Sequence, residues 1–396
     1  MHLVKARTGS VSASTWVANL AFVPIGMVTV LLGPLLPILS ARWSLNYLQA
    51  GSLFTAQFLG STVAVVFSGI IVSRWGFRFA IIAGLLAMSL GVGLLPFSSR
   101  LLGLICISCY GAGLGISIPA GNLLVAAINT ERRSAALNLL NFWWSVGAVA
   151  CPFIVASAAA VDQIQLFLFF VAGLLLLALL WIAALPSFAE PAPATDDERL
   201  GASPLHPNWR LLGILAALFF LYVGTENAFG GWIASYAKSL GTLSPALAVM
   251  TPSFFYASLM LGRWIANFVL KLKKIDEIKT ARAGLLLAFL GMVGLVLSRT
   301  LPLLASSVSI AGLGLAAVYP ITISRLSREF GKAASRVGSV MFTMASLGGA
   351  FLPWLVGYSS HKFNDLGVGL AIPVAATGLM SILFYLYQRK LSFVST

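Results

Sequence analysis

Twelve stretches of this chain are apolar and long enough to cross a lipid bilayer, and no soluble architecture accommodates that pattern. A hydrocarbon core about 30 Å thick is crossed by a helix of roughly 20 residues. The stretches are 15–39, 48–72, 79–96, 101–128, 135–160, 164–186, 211–237, 247–271, 281–298, 301–324, 337–358 and 367–388, of which the third and ninth are short. In lipid each backbone N–H and C=O must be satisfied within its own segment or in a closed barrel, and segments of this length are helices. Composition agrees: 9% of residues are charged, against about 25% in soluble domains. The expected fold is an all-α integral membrane protein with twelve transmembrane helices.

The formal charge of +14 suggests nucleic acid until the basic residues are placed on the spans. With both termini cytoplasmic, all of the 25 Lys and Arg except Arg42, Arg100, Lys238, Arg299 and Lys362 fall at or near cytoplasmic ends. That is the positive-inside rule, so the charge sets topology and no nucleic-acid partner is implied. The inner loops Lys271 to Arg282 and Arg325 to Arg336 are expected only to read topology and anionic lipid. Cys106, Cys109 and Cys151 sit in spans and imply no disulfide framework. The first stretch is too long for a secretory leader and lacks a cleavage site, so it reads as a span. The expected location is a bacterial inner (plasma) membrane.

The Pro-, Ala- and acid-rich segment 187–209 interrupts the apolar pattern and reads as a flexible cytoplasmic linker. It divides the chain into six-helix halves, 1–186 and 210–396. An internal repeat supports the division. Gly111, Gly113, Pro119, Ser145, Gly147 and Pro152 each find the same residue 201 positions later, at Gly312, Gly314, Pro320, Ser346, Gly348 and Pro353. Repeats of this kind are the sequence sign of a transporter with its site near the bilayer midplane. The glycines allow close helix approach, and Pro119 and Pro320 are expected to open or bend their helices.

Of the eleven acidic residues, only Glu226 lies well inside an apolar stretch; the other ten fall in loops. At 1.5 Å per residue from Leu211 it stands about 22 Å into the span, past the midplane. A carboxylate there is costly without a partner, water or a proton, which makes it a functional-site hypothesis. Other chemistries find no support. No Walker-type phosphate loop occurs, no Cys/His/Asp cluster has metal spacing, and His2, His206 and His361 lie outside spans. A hydrolase would need an embedded His or a second acid. Neither an enzyme nor a cofactor or metal site is expected.

The chain resembles the major facilitator superfamily. The six-plus-six plan and linker fit, and the loop after the second span reads Gly69-Ile-Ile-Val-Ser73-Arg74-Trp-Gly76-Phe-Arg78 against the superfamily's Gly-x-x-x-Asp-Arg-x-Gly-Arg-Arg. Gly69, Arg74, Gly76 and Arg78 match, and Ser73 replaces the acid. The resemblance implies a conformational latch in these four residues, set against helix ends and neighbouring carboxylates, with one arm weakened. Within the superfamily the chain is similar to the fucose permease-like sugar transporters. Gly113-Leu-Gly…Asn122, Asn141…Ser145-Val-Gly147, Tyr222-Val-Gly224-Thr-Glu226…Trp232, Leu261-Gly262-Arg263 and Gly312…Pro320 carry that likeness. The proton-coupled members have acids in helices 1 and 4. Here helix 1 has none and Ile118 stands at the helix 4 position, leaving Glu226 as the embedded acid for ion coupling.

The resemblance implies alternating-access uptake of a monosaccharide, coupled to a proton or sodium, by a monomer. Sugars are recognised by aromatic faces and by amides or carboxylates. The polar candidates are Gln57, Asn122, Asn141, Glu226 and Asn227; the aromatic ones are Trp143, Trp144, Trp232, Tyr256 and Tyr319. Asn138 and Asn267 lie near helix ends and read as interface residues. An exporter of amphipathic drugs or lipids in the same fold is the alternative, and a non-transporting sensor is a third class.

Overall fold

The computed structural model describes residues 2–129, 133–185, 209–269, 276–330 and 334–394, and among these there are helices and no strand. Helix α1 runs His2–Val30 and, after a break at Leu31, Leu32–Arg42. Pro34 has no N–H to give the Val30 carbonyl, which accounts for the break. Tyr47–Leu94 is helical except at Gly76, with φ 82° and ψ 170°. That residue separates α2 (47–75) from α3 (77–94). There follow α4 (Arg100–Ile128), α5 (Arg133–Ala160), α6 (Ile164–Ala184), α7 (Trp209–Ser239), α8 (Pro245–Val269) and α9 (Glu277–Leu297). Helix α10 has two pieces, α10a (Leu301–Leu315) and α10b (Val318–Phe330), before α11 (Ala334–Phe363) and α12 (Leu366–Val394). Among the described residues ten helical runs are long and apolar enough to span a membrane, and the broken α1 makes eleven. The run Tyr47–Phe97 contains both α2 and α3, which accounts for twelve. Residues 187–208 of the expected linker lie outside the described residues, and Trp209 opens α7.

Gly76 occupies backbone space that is essentially glycine-only, where a side chain costs of order 1–3 kcal/mol. Gly69, seven residues earlier in the same motif, has no heavy atom within 4 Å of an added Cβ. Gly76→Ala is therefore expected to lower the thermal unfolding midpoint of the purified protein, and Gly69→Ala to leave it unchanged or raise it. Equal midpoints for the two variants would contradict this account of the α2–α3 turn.

The chain forms two compact units, Met1–Leu32 with Ala56–Arg199, and Gly33–Thr55 with Leu200–Thr396. The repeat is visible inside each. In the first unit a Cβ on Gly111 would overlap the Gln57 carbonyl of α2, and one on Gly113 would meet the Gly84 carbonyl of α3. In the second, Gly312 meets the Phe255 carbonyl of α8 and Gly314 the Gly284 carbonyl of α9. Gly147 of α5 seats on Val23 of α1, as Gly348 of α11 seats on Phe220 of α7. Without a hydrophobic drive between helices in lipid, such backbone-to-backbone packing supplies the association energy. The two prolines behave differently. Helix α10 breaks at Ala316 and Ala317 ahead of Pro320, whose ring crowds the Ala316 carbonyl, whereas α4 runs unbroken through Pro119.

Candidate functional site

Glu226 meets a partner within the second unit. Its Oε2 lies 3.6 Å from Arg263 Nη2 of α8, with the two side chains 13% and 23% exposed. The same Arg263 nitrogen donates to the Tyr222 hydroxyl at 3.5 Å. Tyr222 precedes Glu226 by one helical turn, so both share a face of α7. Tyr319, at the start of α10b, sets its ring 5.4 Å from that of Tyr222 and 5.8 Å from Phe219. It stands within electrostatic range of both Arg263 and Glu226. A carboxylate and a guanidinium withdrawn from water are tolerated when each meets the other. The planar five-donor fork of Arg suits that task better than the single point of Lys. The pair is neutral as a whole, so adding a proton to Glu226 leaves one net positive charge.

Asn227 donates its amide to the Val223 carbonyl one turn back at 2.8 Å, keeping its side-chain oxygen as an acceptor. Trp232 is 1% exposed, and its indole N–H donates to the Pro353 carbonyl at 3.0 Å. Tyr47 and Phe54 pack at its ring edge, 6.3 and 6.2 Å between centroids. Trp232 therefore serves packing here. Tyr256 is buried, its hydroxyl against Gly230. A cavity of about 460 Å³ lies in this unit, lined by Thr55, Phe220, Leu347, Ala350, Phe351 and Trp354. Its rings continue as a staircase. Phe220 and Phe351 are 6.1 Å apart, Phe351 and Trp354 5.8 Å, and Trp354 stacks on Tyr358 at 5.6 Å. Thr55 donates its hydroxyl to the Ala350 carbonyl at 3.2 Å, so the lining offers little polarity.

In the first unit Gln57 is 2% exposed and engaged at both ends of its amide. Its nitrogen donates to the Thr29 carbonyl at 3.3 Å, and its oxygen accepts from the Tyr110 hydroxyl at 3.2 Å. The Trp144 indole donates to the Thr29 hydroxyl at 3.2 Å. Gln57 and Trp144 thus meet through Thr29. Asn122 and Asn141 each return an amide hydrogen bond to their own helix, to Ile118 and Leu137, both at 2.8 Å. Trp143 sets its ring against Phe142, and its buried indole nitrogen has no hydrogen-bond partner among the described residues. Asn138 is exposed, and the Asn267 side chain lies outside the described residues.

The loop motif ties inward. Arg78 donates to the Ala183 and Leu185 carbonyls at 2.6 and 2.9 Å, capping the C-terminal end of α6, where a cation complements the helix dipole. Arg74 lies over the Trp75 ring at 5.7 Å. Ser73, in the place of the acid, bonds the Ile70 carbonyl at 3.0 Å.

Three sequence expectations need correction. Arg263, assigned to topology, is the partner of Glu226. Arg325 and Arg328, assigned to topology and lipid, pair with Glu277 at 2.8 and 3.6 Å. Glu277 and Glu329, assigned to loops, lie in the first turn of α9 and the last of α10b, and Glu329 accepts from the Tyr387 hydroxyl at 2.6 Å. These contacts join α9, α10b and α12.

The sequence profile described as Major Facilitator Superfamily matches residues 18–353. The human "Sodium-dependent glucose transporter 1" is 22% identical over 92% of this chain and 77% of its own length. The "Glucose/mannose transporter GlcP" of Bacillus subtilis (strain 168) is 21% identical over 90% of this chain and 91% of its own length. Among solved structures, the Escherichia coli fucose:proton symporter FucP superposes with a TM-score of 0.65 at 18% identity, covering 95% of this chain and 99% of that one. The nucleoside transporter NupG superposes with a TM-score of 0.77 at 12% identity, with the same coverage. At such identities the structures speak for the fold alone. That fold, the profile match and the twelve apolar spans agree: the chain belongs to the major facilitator superfamily of membrane transporters.

Proposed function

We propose that this chain takes up a monosaccharide in symport with a cation, alternating access between its two halves as a monomer in a bacterial inner membrane with both termini cytoplasmic. The observation that carries the reading is the Glu226–Arg263 pair beside Tyr222 and Tyr319. It is a titratable group held in a span that has no other acid, where loading a cation changes the stability of one state over another. The sugar is supported by the printed names of the two relatives, a glucose and a glucose/mannose transporter. Chemistry supports it too. Within the second unit the Phe220–Phe351–Trp354 rings offer faces for C–H surfaces, and the Asn227 amide oxygen suits a hydroxyl. Gly69, Arg74, Gly76 and Arg78 form the latch in this reading, with Arg78 fixing the loop to α6 and Arg74 left to meet a state-dependent partner.

The decisive experiment is uptake of labelled hexoses, beginning with glucose and fucose, into proteoliposomes under an imposed proton or sodium gradient. Accumulation of one hexose is expected. No uptake in membranes with active controls would remove the sugar. The apolar cavity favours a second reading, export of an amphipathic drug or lipid, because its only hydroxyl is already donated within the protein. Thermal stabilisation by hydrophobic cations or lipids, and not by sugars, would select it.

A further inference from the structure

We infer that the preferred substrate is a hexose carrying an apolar aglycone, an aryl glycoside rather than the free sugar, and that the cavity of the second unit is the aglycone site. The inference rests on the sugar reading and adds the substrate class. A free hexose presents hydroxyls around its whole edge, and the cavity of about 460 Å³ does not match it. Phe220, Leu347, Ala350, Phe351 and Trp354 give it apolar walls, and the Thr55 hydroxyl is donated to the Ala350 carbonyl. A sugar hydroxyl buried there without a partner loses roughly five- to a hundredfold in affinity. A flat apolar group loses nothing and finds ring faces. Phe220 and Phe351 stand 6.1 Å apart and Phe351 and Trp354 5.8 Å, tilted by 39° and 35°, and a further ring extends such a set at the spacing aromatic pairs prefer.

A polar end for such a ligand lies on the same wall. Phe220, Gly224 and Asn227 follow one another at i, i+4 and i+7, so they share a face of α7. That face meets α11. A Cβ on Gly348 would overlap the Phe220 carbonyl, and one on Gly224 would touch the Gly348 carbonyl and the Leu352 side chain. The contacts advance together along both helices, which brings Asn227 within about a turn of Trp354. Seven residues set Asn227 about 10 Å along the axis from Phe220. Its amide nitrogen donates to the Val223 carbonyl, which leaves the oxygen to accept from a sugar hydroxyl. The sugar then sits beside Asn227 and Trp354, and its aglycone continues onto Phe220 and Phe351. A free hexose reaches only the first of these places. Glu226 turns instead to Arg263 of α8, so the aglycone site is separate from the ion pair.

The test is binding to the purified protein in lipid nanodiscs, kept free of alkyl-glycoside detergent because such a detergent is itself a ligand of this class. Isothermal titration compares glucose and fucose with their methyl and phenyl glycosides, and with benzyl alcohol as an aryl group without a sugar. The phenyl glycoside of one sugar is expected to bind at least about tenfold more tightly than its methyl glycoside, the gain for burying a ring of that size. Leu347→Phe, which fills the cavity, and Phe351→Ala, which removes one of its faces, should each reduce that ratio. A ratio taken within one protein does not depend on how much of a variant folds, and either variant suffices. Phenyl and methyl glycosides that bind alike overturn the inference and leave the sugar standing, and so does a ratio that neither variant moves. Benzyl alcohol binding as tightly as the phenyl glycoside overturns the inference and removes the sugar with it. If no glycoside binds, the inference fails, and hexose uptake by the same protein decides the sugar separately.

Discussion

Glu226→Gln is expected to abolish accumulation of substrate while leaving exchange across the membrane. Glutamine keeps the size of the side chain and an oxygen that can accept from Arg263. It loses the proton, so the two halves can still alternate with substrate bound while the gradient has nothing to act on. The effect is large. One charge moving through 100 mV releases about 2.3 kcal/mol, and each 1.36 kcal/mol is a factor of ten. One-to-one coupling therefore supports roughly fiftyfold accumulation, which the variant should lose entirely. Counterflow of labelled against unlabelled substrate is the companion measurement, because it also reports folding. Retained accumulation would remove Glu226 from coupling. Loss of both activities, with a folded protein, would make it a structural partner of Arg263 and nothing more.

The helices were legible because their signal is redundant: each span carries about twenty apolar residues, and one slip does not erase it. The close approaches were legible in the spacing, since Gly111, Gly113 and Gly147 recur at a fixed interval and only glycine admits a carbonyl at that distance. The partner of Glu226 was not. Arg263 fell into the tally of basic residues at helix ends, although Leu261 and Gly262 precede it and Trp264 and Ile265 follow it. An embedded acid demands a cation, and that flanking pattern was the available signal. The Glu277–Arg325 pair was missed for a related reason. Charges at helix ends look alike in sequence whether they face lipid headgroups or each other. The roles of Trp232 and Gln57 were beyond one-dimensional reading, because burial and the direction of an N–H depend on residues far along the chain. For Trp232 that residue is Pro353, 121 positions away.

Gly147→Ala and Gly348→Ala are expected to behave as a matched pair, each destabilising the protein and slowing transport. The added methyl group would overlap the Val23 carbonyl oxygen in one case and the Phe220 carbonyl oxygen in the other. A carbonyl within a helix cannot swing aside as a side-chain tip can. The facing helices, α5 on α1 and α11 on α7, must separate instead. Overpacking of this kind costs typically 1–3 kcal/mol. Separation also forfeits contacts along the rest of the seam, which in lipid no hydrophobic term replaces. The Gly348 case carries a functional consequence as well, because Phe220 lines the cavity and lies on α7, six residues before Glu226. Shifting that helix moves the cavity wall and the Glu226–Arg263 pair together. Gly173→Ala and Gly378→Ala are the controls, since neither added Cβ has a heavy atom within 4 Å. They should be neutral or gain up to about 1 kcal/mol of helix propensity. Unfolding midpoints and initial uptake rates of the four variants decide the matter. If the controls fall as far as Gly147→Ala and Gly348→Ala, close helix approach is not what these glycines provide.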